Sequence, residues 1–153
     1  MSMTSRLLAC GLVAVACANA AAAAPRDPCS LLSTAQVSGA VGAPIAAGSS
    51  MGATCTWKAT DSGASGVVFV TLFLQSGESY EAGRKLATQM GANAVSPVSG
   101  VGDSAYYFTT GTAVGLLARK GGAAFKAAVY GSAPLDKKKA MERALASAVA
   151  ARL

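Results

Sequence analysis

The stretch AYYFTTGTAVGLLARKGGAAFKAAVY, residues 105–130, indicates how this chain folds. It divides into three strand-length segments, AYYFTT (105–110), AVGLLARK (113–120) and AAFKAAVY (123–130). A link at Gly111 joins the first two segments, and the pair Gly121–Gly122, which suits a tight turn with positive φ, joins the last two. We therefore predict three sequential antiparallel strands.

Two further strands are predicted upstream of this stretch. TCTWKA (54–59) alternates along its length and contains β-branched and aromatic residues. VVFVTLFLQ (67–75) is apolar on both faces, which is typical of a strand in the middle of a sheet. Because only the short turn segment TDSGASG separates them, these two strands can pair as an antiparallel hairpin.

The first and last predicted helices have recognisable starting signals. Ser33 and Gln36 form the pattern of a capping box, and Gly42 is placed to end the short helix that follows. Asp136 is the predicted cap of the last helix. That helix has one apolar stripe, made by Met141, Leu145, Ala148 and Val149.

A middle helix is predicted over residues 76–91. Ala82, Leu86 and Met90 recur at four-residue steps and form its apolar stripe, and Gly91 closes it. The element order is therefore α-β-β-α-β-β-β-α, in which helices interrupt the strands instead of alternating with them. We expect an α+β fold with a single antiparallel sheet of about five strands and with the helices packed on one face.

Residues 1–23 resemble a secretory signal peptide. Arg6 is a short basic region, an apolar core too short to span a bilayer follows it, and small residues then allow cleavage, best after Ala20 or Ala23. We predict a single disulfide-stapled domain over residues 24–153. Without Arg6, the 12 remaining basic residues face 7 acidic ones, a net charge of +5. This charge predicts a solvated basic surface or an anionic partner.

The four cysteines fall into two groups. Cys10 and Cys17 lie in the predicted signal peptide, whereas Cys29 and Cys55 lie in the domain. Export implies an oxidising compartment, where two thiols of a small domain usually form a disulfide. A redox role and metal binding are weaker alternatives, because there is no C-x-x-C and no histidine. The AVAC sequence that ends at Cys17 is an imperfect lipobox, so a lipid anchor there is the alternative to simple cleavage.

The sequence contains no histidine, and this restricts the chemistry. A Ser-His-Asp or Cys-His nucleophile system and a histidine metal site are excluded. An enzyme would need another general base, for which Asp103 and a tyrosine are the candidates. We expect no metal and no cofactor.

The loop GVGDSAYY, residues 100–107, is the most distinctive segment. A strand follows it instead of a helix, so its G-x-G is not a dinucleotide fingerprint. Asp103 either caps the turn through its side chain or presents a carboxylate to a ligand. Trp57 either packs over the disulfide or stacks on a ligand. The candidate ligand-binding residues are Gly100, Gly102, Asp103, Tyr106, Tyr107 and Trp57.

Two other features bear on binding. Tyrosines on the less covered face of the sheet could form a shallow platform. Lys137, Lys138 and Lys139 oppose the dipole of the last helix and form a solvated surface or an anion-contact patch. The basic residues are scattered and do not interleave with aromatic residues, so we do not expect nucleic acid as a partner.

The motifs DPCSLLSTAQVSGAVGAPI, CTWKA and GVGDSAYY, in this order, resemble a widespread bacterial family of small secreted proteins and lipoproteins of unknown function. Its members share a D-P-C start, a C-x-W strand and a G-x-G-D-x-A-y loop, and some are similar to the extracellular sensor domain of a mycobacterial serine/threonine kinase. The resemblance covers Asp27 to the end of the chain. It implies a disulfide between Cys29 and Cys55 and an α+β module that faces the cell envelope, and it brings no established catalytic residues.

These observations together predict an exported cell-envelope module, periplasmic or secreted, that binds a ligand or partner without catalysis. The expected partner is an envelope protein or a small or anionic ligand, and membrane contact is expected only through a lipid anchor at Cys17. The alternatives are a passive structural lipoprotein anchored at Cys17, or an enzyme that uses a base other than histidine.

Overall fold

A computed structural model describes residues 26–61, 63–91 and 94–153 of the chain. The predicted signal peptide and the lipid anchor at Cys17 lie outside these residues. No helix in the described ranges is long and apolar enough to cross a membrane. The fold is α+β, as predicted, and is built on a single antiparallel sheet.

Within the described residues the sheet has seven strands, where about five were predicted. They are β1 (Ser49–Met51), β2 (Thr54–Lys58), β3 (Val67–Ser76), β4 (Val95–Val98), β5 (Ser104–Thr110), β6 (Ala113–Lys120) and β7 (Ala123–Gly131). A 3-10 helix at Pro28–Leu31 and three α-helices complete the element order: α1 (Thr34–Val41), α2 (Gly77–Gln89) and α3 (Leu135–Ala150).

The strand order across the sheet is β1-β2-β3-β7-β6-β5-β4. The stretch 105–130 forms three adjacent strands, β5, β6 and β7, as predicted, and β3 lies inside the sheet between β2 and β7. The two additional strands are the edges. Their sequences, SSM and VSPV, lack a strand pattern, and Pro97 is tolerated in β4 because an edge strand has a free side.

One face of the sheet carries the main hydrophobic core. Cys55 and Trp57 of β2, together with alternate residues of the other long strands, pack there against the 3-10 helix, α1 and α3. The helices contribute buried Val37, Leu145 and Val149. This face therefore supplies most of the apolar burial that stabilises the domain.

Helix α2 lies on the opposite face, so the expectation that all helices share one face is wrong. Tyr80 of α2 packs on Tyr106 and Ala124, whose strand neighbours Ala105 and Phe125 belong to the main core. Since successive side chains of a strand point to opposite faces, Tyr80 must approach the sheet from the other side. The chain thus forms three layers, with a thin second cluster under α2.

The predicted helix signals are partly confirmed. Ser33 and Gln36 form a reciprocal capping box, and Gly42 ends α1 in the left-handed conformation at φ 66°. Asp136 does not cap α3, because the helix begins two residues earlier than predicted, at Leu135, with Pro134 at its N-cap and no side-chain cap bond. Lys138 is buried, not solvated, and its Nζ donates a hydrogen bond to the carbonyl of Thr112.

Cys29 and Cys55 form the disulfide, with 5.1 Å between their Cα atoms. The bond ties the 3-10 helix to β2 on the main-core face. Trp57 lies beside it, since a Cβ at Gly48 would contact both the Trp57 indole and the Cys55 sulfur. Such a bond fits a compartment outside the reducing cytoplasm.

Candidate functional site

The GVGDSAYY loop forms hydrogen bonds with the end of β6 and the turn that follows it. The carboxylate of Asp103 accepts hydrogen bonds from the Gly121 N–H at 2.7 Å and from Lys120 Nζ at 3.3 Å. The Gly121 bond first, and then the lysine, hold the pKa of Asp103 below its ordinary value. A carboxylate with a lowered pKa is a weaker base. In this structure the Asp103 carboxylate links the start of β5 to the β6–β7 turn through these hydrogen bonds.

Gly102 is required at its position for a steric reason. It adopts φ 58°, and a Cβ there would collide with the carbonyl oxygen of Arg119. Gly100, at φ 77°, has more room, because the nearest atom to a Cβ belongs to the Arg143 side chain at 3.8 Å. The two glycines and Asp103 do lie together, but as a turn that closes against the neighbouring strand.

The three aromatic candidates lie in different places. Trp57 is 1% exposed and part of the main core, so it offers no surface to a ligand. Tyr107 faces α3, donates a hydrogen bond to the Lys139 carbonyl at 2.7 Å, and has its pKa raised by burial. Tyr106 lies under α2, where burial raises its pKa to about 12. The six predicted ligand residues therefore do not form a single site.

The apolar stripe of α2 points to a different surface. The predicted stripe is not the buried one, since the helix buries Tyr80 and Ala87 instead. Leu86 and Met90 remain 62% and 63% exposed. The hydroxyl of Tyr80 hydrogen-bonds that of Ser104 at 2.9 Å, and this contact fixes which side of α2 meets the sheet.

A groove of about 330 Å³ runs between this stripe and the sheet. Its helix wall is Leu86, Met90 and the small residues Gly83 and Ala87, and its floor is mostly aromatic and aliphatic. The floor residues are Tyr106, Phe108, Thr110, Leu117 and Lys126. Its size and largely apolar lining are those of small-molecule binding sites, which span roughly 300–1,000 Å³.

Lys126 is the one charged residue among the described residues of this groove. It lies in a cross-strand row between Leu117 of β6 and Phe73 of β3. Its stem crosses Gly115, where a built Cβ would lie only 2.5 Å from Lys126 Cε. No residue of the described chain gives Lys126 a hydrogen bond or an ion pair.

Beyond Lys126, no helix of the described residues covers the second face of the sheet. Phe73 is 40% exposed, and the rings of Phe69 and Tyr130 stack at 4.4 Å between centroids. Tyr130 thus lies next to an apolar groove that the sequence did not predict, and the shallow tyrosine platform stays a prediction.

A larger cavity, of about 870 Å³, opens at the start of α2. Its charged lining residues are Glu78, Glu81, Lys85 and Arg119. Glu81 forms ion pairs with Arg119 at 3.8 Å and with Arg84, outside the lining, at 3.3 Å. This lining carries two carboxylates beside its two cations, so the cavity is a weaker candidate for an apolar ligand than the smaller groove, which holds a single charge.

Sequence analysis also missed Glu142, which is fully buried on α3. The ladder between β6 and β7 ends at Leu116 and Ala127, and Glu142 Oε1 accepts the Val129 N–H just beyond that point, at 3.0 Å. Burial raises its pKa to about 7, against the opposing effects of the Val129 bond, Lys126, Lys138 and Lys139. The one sequence signal for its burial is that Glu142 is a charged residue within the apolar stripe of the last helix.

Comparison of the chain with protein-family models, with curated proteins and with solved structures found no match.

Proposed function

We propose that this protein is an exported, non-catalytic binding module of the cell envelope, periplasmic or secreted, and that its ligand site is the groove between α2 and the sheet. The exposed stripe of α2 carries the proposal. Leu86 and Met90 are apolar, adjacent to a formed groove and more than half exposed. Exposed apolar surface of this kind commonly marks a binding site.

Three further observations support it. The disulfide fits an exported domain. The resemblance of the D-P-C, C-x-W and G-x-G-D-x-A-y motifs to a family of secreted bacterial proteins suggests the same setting. Asp103, the residue suggested as a base for an enzyme, is already engaged by Gly121 and Lys120.

The neutral apolar dye Nile red tests the site. We expect it to bind the wild-type domain, and the double variant Leu86→Gln, Met90→Gln to weaken binding about tenfold or more, because two apolar contacts are lost. Both positions are exposed, so the variant keeps its fold.

Met51→Gln is the matched control, since Met51 is 82% exposed on β1, away from the groove. It should bind the dye as the wild type does. Equal affinity in the double variant and the control, or no binding by the wild type, would contradict the proposed site.

A further inference from the structure

The groove combines an apolar lining with a single positive charge. The cross-strand row Tyr106, Leu117, Lys126, Phe73 places the lysine stem between an aliphatic and an aromatic neighbour. No acidic residue lines the groove within the described part of the chain. A cation in such surroundings gains most from an anion that arrives with an apolar body attached.

The packing around Lys126 fixes where that anion would sit. Gly115 leaves space that the lysine stem fills, so the side chain lies along the groove floor. The ammonium acts electrostatically on Glu142, on the other side of the sheet, but forms no ion pair with it. The N–H donors of the Lys126 ammonium have no partner within the described structure and are therefore available to a ligand.

The size of the groove limits the apolar part. About 330 Å³ is near the lower end for ligand pockets, and suits one acyl chain better than the two chains of a phospholipid. Leu86 and Met90 flank one side of this volume and Phe108 lies on its floor.

On these grounds we propose that the ligand is a free fatty acid, whose carboxylate binds Lys126 and whose single chain lies between α2 and the sheet. This inference rests on the proposed function, because it assigns a ligand class to the same groove.

Calorimetric titration with dodecanoate below its micellar concentration and with neutral dodecanol below its solubility limit tests the charge. We expect the wild type to bind dodecanoate about tenfold or more tightly than dodecanol, as a charge-assisted hydrogen bond implies. Lys126→Met should abolish this preference while dodecanol binding persists, which also shows that the variant is folded. Lys126→Arg should restore the preference.

Lys58→Met is the control, because Lys58 is an exposed lysine on β2 and the substitution removes the same charge. It should retain the preference for dodecanoate. Equal affinity for the two ligands in the wild type, or a preference that survives Lys126→Met, overturns the fatty-acid assignment and leaves the groove itself supported. Binding to anionic phospholipid vesicles without binding of dodecanoate also overturns it. Absence of binding by either ligand contradicts both the assignment and the proposed function.

Discussion

Glu142 shows how one buried carboxyl group can couple stability to pH. The groups that act on it are the Val129 N–H and the ammonium groups of Lys126, Lys138 and Lys139, and its own charge raises the pKa of Tyr107 in turn. One carboxylate oxygen is bonded to Val129, and the other has no partner in the described structure. Burial therefore favours the protonated form of Glu142.

The consequence for stability has a definite sign. Because the pKa of Glu142 in the folded state, about 7, lies above its ordinary 4.5, the folded protein holds a proton that the unfolded chain releases. The free energy of unfolding should fall as pH rises from 4.5 to 7, by up to about 3 kcal/mol. Glu142→Gln should flatten this dependence, as measured by urea unfolding at pH 5 and pH 8.

The exposed residue Glu78 on α2 supplies the control, because Glu78→Gln should leave the pH dependence unchanged. Asp103 has a lowered pKa and stabilises the fold less as pH falls through the acid range, so the comparison uses no pH below 5. An equally steep dependence in Glu142→Gln would show that another group is responsible.

At the scale of elements, the loop before β5 packs closely against β6, and this close packing requires glycine. Gly100→Ala should cost about 1 kcal/mol, because alanine resists positive φ. Gly102→Ala should cost at least about 2 kcal/mol more, since its Cβ also meets the Arg119 carbonyl. Urea unfolding of the two variants measures the difference. If their stabilities were equal, the close approach to Arg119 would not be what requires glycine.

Several elements could be predicted because their signals are local. The capping box at Ser33 and Gln36 and the glycine pair at the β6–β7 turn depend on residues close in sequence. The strands β1 and β4 could not be predicted, because SSM and VSPV become strands only by pairing with a stronger neighbour.

The side of the sheet on which α2 lies also escaped prediction. The four-residue repeat of Ala82, Leu86 and Met90 correctly indicates a helix, but burial is decided by Tyr80 and its partner Tyr106, 26 residues away. The periodicity identifies the apolar stripe of the helix, and only tertiary contacts decide whether that stripe is buried or exposed. The proposed binding groove depends on these tertiary contacts, and so it could not be predicted from the pattern.

For the whole molecule, the disulfide constrains the unfolded chain more than it shapes the groove. It closes a separation of 26 residues, for which the chain-entropy relation gives about 3–4 kcal/mol. The double variant Cys29→Ser, Cys55→Ser should lose this amount in urea unfolding. Wild type under reducing conditions should behave in the same way.

Nile red binding at low temperature should survive in that variant, because the disulfide lies on the main-core face and the groove on the other. A loss of stability below about 1 kcal/mol would contradict the assigned role of the bond. Loss of dye binding in the folded variant would contradict the separation of the two faces.

The two short edges of the sheet have a consequence for self-association. β1 is only three residues long, and β4 carries the exposed Pro97, so neither edge offers a regular template for another strand. Contact between copies at high concentration would therefore involve exposed apolar side chains, such as Leu86, Met90 and Phe73, and not a strand edge. A contact of one patch with the same patch closes as a two-fold pair, whereas edge-to-edge contact would propagate into a fibre.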